Sequence, residues 1–320
     1  MTGPGLILHH YPRSPYAEKV RLALGLKGLE YRAVIVPSWM PKPGLTPLTG
    51  GYRRTPIMQC GADVYCDTLL ILEEIERRHP TPTLFPDGAQ ALATALGWGI
   101  EKSVFIPAVG VIAGLTGQAY PRELVDDRGP FFGFSLEHAP MLAKQPVFVD
   151  RLNAHLAWLA RLLHDGLLHD GRPFLLGQAP GAADLAAYHP LWHLRRAGGD
   201  PAAAQAELTL LPRLPDLLPW MDRVAAIGHG TPHEIAAADA LAEARHATPA
   251  PVEPGLPFAA LHGIEPGSEV TMTPDDSGRD PVQGRLLAVT ETRVVLRRTD
   301  LALGEINVHF PRAGFDAAAA

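Results

Sequence analysis

The sequence predicts a chain of three parts: a compact α/β domain, an all-helical domain and a small β-rich tail. Three observations lead there. Residues 5 to 80 alternate strand and helix character, residues 88 to 245 carry Ala and Leu at helical spacing with no clear strand, and four short β-rich runs follow a proline-spaced segment. At 320 residues the chain has room for two or three domains and a sizeable core.

GLILHH is a short apolar run of strand character. YPRSPYAEKVRLAL follows, with Ser14 as a helix N-cap and Pro15 at the first helical position, where the missing N–H costs nothing. Ala17, Val20, Ala23 and Leu24 fall on one face, and Glu18, Lys19 and Arg21 largely on the other, which reads as a surface helix with a buried stripe. LEYRAVIV is a second strand, and PSWMPKPGLTPLTGG a long loop dense in Pro and Gly. IMQC and DVYC form a hairpin around Gly61, Ala62 and Asp63, and a helix from about Thr68 to His79 is stopped by Pro80. The order is β-α-β-loop-β-β-α, a parallel pair extended by antiparallel strands.

Four helices are expected next, within AQALATALGWGIEKSVFIPAVGVIA, QPVFVDRLNAHLAWLARLLHDG, AADLAAYHPLWHLRR and LPDLLPWMDRVAAIG. TPAPVEPGLP, residues 248–257, is an extended linker. Beyond it SEVTMTP, GRLLAVT, RVVLRRT and GEINVHF are β-rich and separated by PDDSGRDP, Glu291-Thr292 and DLALG, which suggests a small sheet or partial barrel. The expected boundaries are 1–86, 87–247, 248–257 and 258–320.

Composition excludes several classes. A formal charge of -6 offers no basic excess to pair with phosphates, so nucleic acid and anionic membranes are not expected partners. Cys60 and Cys66 are too few for a disulfide framework and read as small apolar strand residues. No basic segment followed by an apolar core opens the chain, and no run approaches eighteen uninterrupted apolar residues, so a cytoplasmic address is expected. His9 and His10 are adjacent on a strand and point to opposite faces with no third ligand evident, so no metal site is expected.

Several separated features resemble the cytosolic glutathione transferases. SPYAEKVRLAL is similar to the first-helix motif of the serine- and cysteine-type classes, closest to the plant tau class and its bacterial relatives. Arg54-Thr55-Pro56 lies where that family has a basic residue, an apolar residue and a cis-proline, and Asp67-Thr68 where it has an acidic residue and Ser at a helix start. PFLLGQAPGAADLAAYHPLW resembles its helical-domain signature, with Gly181 in place of the usual Ser or Thr cap and Asp184 three residues on. The resemblance covers the first 245 residues and implies a thioredoxin-like domain followed by the family's helical domain, with the β-rich tail as an addition.

The resemblance further implies glutathione as co-substrate, a small electrophile as acceptor, and a homodimer. Glutathione transfer needs a thiolate at neutral pH, although a free thiol titrates near about 8.5. Lowering that value by about two units favours the thiolate by roughly 2.7 kcal/mol, within reach of a hydroxyl donor at a helix N-terminus. Ser14 meets both conditions, because its oxygen can accept from a backbone N–H while its proton is given to sulfur. Tyr11 is the rival donor, displaced by one residue from the place used by tyrosine-type classes, with pocket wall as its other reading. Thr55, beside a cis Pro56, would pair with the peptide like an added strand. Asp67 and Thr68 would take the ammonium and carboxylate of the γ-glutamyl end, and Arg54 and Lys42 the glycyl carboxylate. Trp98, Phe105, Phe131, Phe132, Trp158 and Trp192 remain divided between acceptor pocket and core.

With no cysteine at the first helix start, a mixed-disulfide mechanism is disfavoured. Two alternatives stand beside the transferase reading. One is a noncatalytic binding protein whose tail meets a protein partner, and the other a glutathione-dependent isomerase or dehalogenase.

Overall fold

The structure, a computed structural model, describes residues 5–197, 206, 208–252 and 261–320. The N-terminal part has the expected order: β1 (Ile7–His10), α1 (Pro15–Leu26), β2 (Glu30–Ile35), a one-turn α2 (Thr46–Thr49) inside the long loop, β3 (Ile57–Cys60), β4 (Asp63–Cys66) and α3 (Thr68–Arg78). Strand β1 runs parallel to β2 and antiparallel to β3, which pairs antiparallel with β4. Side chains alternate across this sheet. Leu8, Ala33 and Met58 enter one core with α1, α3 and the helical domain, whereas Ile7, Val34, Ile57 and Val64 enter a second core on the opposite face.

Helix α1 begins as expected, with Ser14 capping it and Pro15 at its first position. It is not a surface helix. Glu18, Lys19 and Arg21 are buried along with the apolar stripe, because α7 packs on the side of α1 that solvent was expected to occupy. Each charge therefore has a partner: Lys19 faces Glu101 at 2.7 Å, and Arg21 donates to Glu18 and, at 3.1 Å, to His10 Nδ1.

The helical part comprises α4 (Gln90–Thr116), α5 (Arg122–Phe132), α6 (His138–Asp170), α7 (Ala182–Ala197) and α8 (Leu214–Ala225). Four of these contain or overlap the expected segments; α5 was not expected. Helix α4 is long and apolar enough to cross a membrane by length and composition, but its apolar length is spent against α6 and α7. At the start of α7, the Asp184 carboxylate accepts from Gly181 N at 3.0 Å, Leu175 N at 2.9 Å and Trp220 Nε1 at 2.8 Å. Gly181 replaces a hydroxyl cap for a steric reason, since a Cβ there would lie 2.8 Å from Pro86 Cδ and 3.0 Å from the Leu84 carbonyl.

The expectation of an all-helical stretch to residue 247 is corrected at its end. Thr231–Glu234 forms β5, which pairs parallel with β2, and α9 (Ala237–His246) sends Ala240 and Ala244 into the second core. The sequence TPHE lacks apolar alternation because every residue of this edge strand is exposed, so only its pairing makes it a strand.

The tail contains the four expected strands, β6 (Glu269–Pro274), β7 (Val282–Val289), β8 (Arg293–Asp300) and β9 (Gly304–Pro311), plus β10 (Phe315–Ala319). It does not form a sheet of its own. Strand β9 pairs parallel with β4, giving one ten-stranded sheet in the order β10-β6-β7-β8-β9-β4-β3-β1-β2-β5. Half of the expected linker, 253–257, and the first tail residues, 258–260, lie outside the described residues.

The seam between β4 and β9 is polar and buried. Asp63 accepts from Ala250 N at 2.7 Å, Asn307 Nδ2 at 3.1 Å and His309 Nε2 at 2.9 Å, while the His309 ring stacks on Tyr65. Glu74 of α3 adds an ion pair with Arg293 at 3.2 Å. Replacing Asp63 with Ala leaves those donors without their acceptor. The expected cost is about 2–4 kcal/mol, read as a lower urea midpoint, with proteolysis of the tail accelerated before that of the helical part.

Candidate functional site

A cleft of about 290 Å³ lies where the first domain, the helical part and the tail meet. Every site residue expected from the sequence lines it: Tyr11, Ser14, Lys42, Arg54, Thr55, Pro56, Asp67 and Thr68. The Thr55–Pro56 peptide bond is cis, as expected. The bend puts the Thr55 carbonyl against the start of α1.

Ser14 sits at that start with extended backbone geometry and is almost fully buried. Its Oγ accepts from Ala17 N at 3.2 Å and donates to the Thr55 carbonyl at 3.4 Å. The first bond caps the helix. The second is at the long, weak end of hydrogen bonding, so little is lost when the hydroxyl proton turns to a better acceptor in the cleft. Tyr11 forms wall rather than floor: its hydroxyl accepts from Arg128 at 3.3 Å, and its ring faces Lys42 Nζ at 5.8 Å.

One end of the cleft is cationic. Lys42 is buried and donates to neutral acceptors, the Arg53 carbonyl at 2.9 Å and Thr55 Oγ1 at 2.6 Å. Burial, reinforced by the Arg128 and Arg53 cations, lowers its ammonium to about 7. Arg53 and Arg128 both pair with Asp127 of α5, and both lie over the Phe131 ring.

The other end is mixed. Asp67 caps α3, accepting from Leu69 N at 2.9 Å, and burial raises its carboxyl above the ordinary range. Thr68 Oγ1 accepts from Lys19 at 3.2 Å. Behind Thr68 runs a buried relay in which Lys19 and His189 both hold Glu101, His189 Nε2 donating at 2.8 Å. Burial works to raise Glu101, but Lys19 and His189 outweigh it and hold the carboxyl below its ordinary range. Arg54 points away from Lys42: its guanidinium donates to Asp276 and to the Ser277 carbonyl, both from the tail.

Of the aromatic candidates, Trp98, Phe105, Phe131 and Phe132 line the cleft, and Phe134 stacks on Phe132. Trp158 is 67% exposed on α6, and Trp192 lies beneath Arg21, so neither belongs to the site. His9 donates to Gln59 at 2.8 Å and is buried. Cys60 and Cys66 are free and buried, and burial pushes the Cys60 thiol up to about 12.

Sequence reasoning missed Tyr16, Arg53, Glu101, Lys102, Arg128 and the tail residues Asp276, Ser277 and Gly314, all of which line the cleft. Tyr16 was within reach, two residues past Ser14 in the same first turn. Its ring packs against Phe105 at 4.8 Å and His189 at 4.6 Å, and burial, with Glu101 nearby, raises its phenol well above the ordinary value. PDDSGRDP carries turn signals only, so nothing local marked Asp276.

Comparison with known proteins places these features in a family. The glutathione S-transferase N-terminal domain family matches residues 8–83, and the C-terminal domain family residues 118–223. A search of curated proteins finds no match. Among solved structures, a GST-like protein from Pseudomonas syringae is 34% identical, with 99% of this chain and 100% of that chain covered and a TM-score of 0.73. The tau-class transferase of mango, Mangifera indica, is 18% identical over 69% of this chain and 89% of its own, with a TM-score of 0.51. A transferase of Ceriporiopsis subvermispora, solved in complex with glutathione, is 16% identical over 70% and 96%, with a TM-score of 0.55. The last two likenesses show the shared fold alone. With two matched domains and an end-to-end relative that includes the tail, the chain belongs to the glutathione S-transferase family.

Proposed function

We propose that the chain is an enzyme that binds glutathione and activates its thiol for attack on a small electrophile. The observation that carries this reading is the Ser14 hydroxyl: buried at a helix start, within the cleft, with its proton on a 3.4 Å bond to Thr55. A thiol placed there loses its proton to solvent, and the resulting thiolate accepts the hydroxyl proton as a hydrogen bond while the α1 terminus adds a favourable field. The sulfur then forms a bond to the electrophilic carbon, and the displaced group leaves with the bonding electrons. Trp98, Phe105, Phe131 and Phe132 supply an apolar surface for the acceptor. An isomerase or dehalogenase would use the same thiolate.

The charges suit the rest of the tripeptide. Thr55 beside cis-Pro56 offers backbone to the cysteinyl unit, Asp67 and Thr68 face the γ-glutamyl end, and Lys42 the glycyl carboxylate. Arg54, whose guanidinium is committed to the tail, takes no direct part at the glycyl end in this reading. A noncatalytic partner-binding role is supported less well, because the tail shares the sheet of the first domain and lines the cleft.

Ser14→Ala is expected to raise the apparent pKa of bound glutathione thiol by about one to two units toward 8.5, followed as thiolate absorbance against pH. Ser14→Thr, which keeps a hydroxyl and the cap, is expected to retain most of the shift. Unchanged thiolate absorbance in Ser14→Ala overturns the reading.

Lys42 gives a second expectation. In the free protein its ammonium titrates at about 7 instead of 10.5, and a carboxylate beside it favours the charged form, so binding takes up a proton there. Affinity through Lys42 is fully present below pH 7 and declines as pH rises above it. With S-methylglutathione, which has no thiol to titrate, the advantage of wild type over Lys42→Met is expected to shrink about tenfold between pH 7 and 9, measured by calorimetry.

A further inference from the structure

Asp276, Ser277 and Gly314 lie outside both matched family domains, yet they form one wall of the cleft. The β6–β7 loop that carries the first two is seated against the helical part. Gly278 N donates to the Phe131 carbonyl at 2.8 Å. Gly278 has a positive φ of 54° and lies so close to Phe131 that a Cβ would come within 2.4 Å of the ring. Gly314 presses on Trp98, where a Cβ would come within 2.7 Å, and its carbonyl accepts from Asp275 N at 3.0 Å. Backbone packed this closely holds Asp276 in one place.

The Asp276 carboxylate is divided between two kinds of partner. Its Oδ1 accepts from Ser277 N at 2.6 Å and from Arg54, which is also bonded to the Ser277 carbonyl. Its Oδ2 faces Lys102 of α4, at 2.5 Å, through a pair whose side chains are 39% and 40% exposed. Arg54 is anchored twice, whereas Lys102 is a half-exposed lysine whose ammonium can be exchanged for another at little cost. Asp276 and Asp67 both line the cleft, and Arg54, bonded to Asp276, is held charged by both carboxylates. The cationic end holds Lys42, Arg53 and Arg128 against the carboxylates of Asp127 and, 3.9 Å from Arg53, Asp280. A ligand with an ammonium at one end and a carboxylate at the other matches that polarity in one orientation.

We infer that Asp276 is a specificity-determining residue of the peptide site, its Oδ2 exchanging Lys102 for the free ammonium of the γ-glutamyl end. The inference rests on the glutathione reading above. It assigns the tail a task inside the site: a carboxylate that selects peptides with an unblocked amino terminus. Burial opposes the charge on Asp276, but Arg54 and Lys102 outweigh it and keep the group ionised across the neutral range.

The test compares glutathione with N-acetylglutathione, which lacks the ammonium, by calorimetry on the full chain. Wild type is expected to prefer glutathione by about tenfold or more. Asp276→Asn is expected to reduce that preference several-fold by weakening glutathione alone, with N-acetylglutathione bound as before and the remainder left to Asp67. Lys102→Met, which frees Oδ2, is expected to enlarge the preference several-fold. An unchanged preference in either variant overturns the inference, as does an equal loss for both peptides in Asp276→Asn, which marks a structural wall only. If Asp276→Asn fails to fold, Lys102→Met decides alone. Wild type that binds neither peptide overturns the glutathione reading as well, whereas wild type that binds glutathione with its preference intact in both variants overturns this inference only.

Discussion

Strand β9 lies parallel to β4, and that pairing joins the strands of the tail to the sheet of the first domain. The register is set by chemistry within the seam. Asp63 stands opposite Asn307 and Tyr65 opposite His309, so one buried carboxylate collects the donors of Asn307 and His309, while the His309 ring covers Tyr65. A slip of one residue would turn these side chains to the other face and leave the Asp63 carboxylate buried without them. A buried polar cluster of this kind adds less stability than an apolar seam of equal size, but it singles out one alignment. From that alignment the meander of β6 to β9 carries its β6–β7 loop to the mouth of the cleft.

The cleft is built by burying charge at both ends and keeping each charge answered. Glu101 is held by Lys19 and His189, and Asp127 by Arg53 and Arg128. Lys42 differs, because its bonds go to a carbonyl and a hydroxyl rather than a carboxylate. An ammonium buried on those terms has its charge opposed by burial and unanswered by any carboxylate bonded to it, which is the state an incoming anion would relieve. Ser14 works on a similar principle at the centre. Its oxygen is used by the helix, and its proton rests on a long bond, so capping and donation are separate capacities of one hydroxyl.

Much of the first domain was legible because its signals are local. Ser14 before Pro15, the Gly61 hairpin, Asp67 before an apolar run and Pro80 after it act within a few residues, and each lies where those signals put it. The candidate residues Tyr11, Ser14, Lys42, Arg54, Thr55, Pro56, Asp67 and Thr68 share one cleft because the loops that carry them converge at one end of the sheet. What escaped notice was contact across long separations. Glu18, Lys19 and Arg21 looked like a solvated face until α7 covered them, and TPHE had no strand pattern until β2 paired with it. Arg54 looked free for a ligand, but Asp276, far along the chain, already holds it.

The sequence by itself therefore determined the main elements of the first domain and their caps, the broad character of the three regions, and a set of candidate residues that share one cleft, since all of these rest on spacing, turn chemistry and helix ends. Only the tertiary structure decided that the tail continues the first domain's sheet, that its β6–β7 loop closes the cleft, and which charges are buried. Those outcomes depend on which distant backbone fills an open strand edge and on what then lies over a polar face, and no short window of sequence contains both partners.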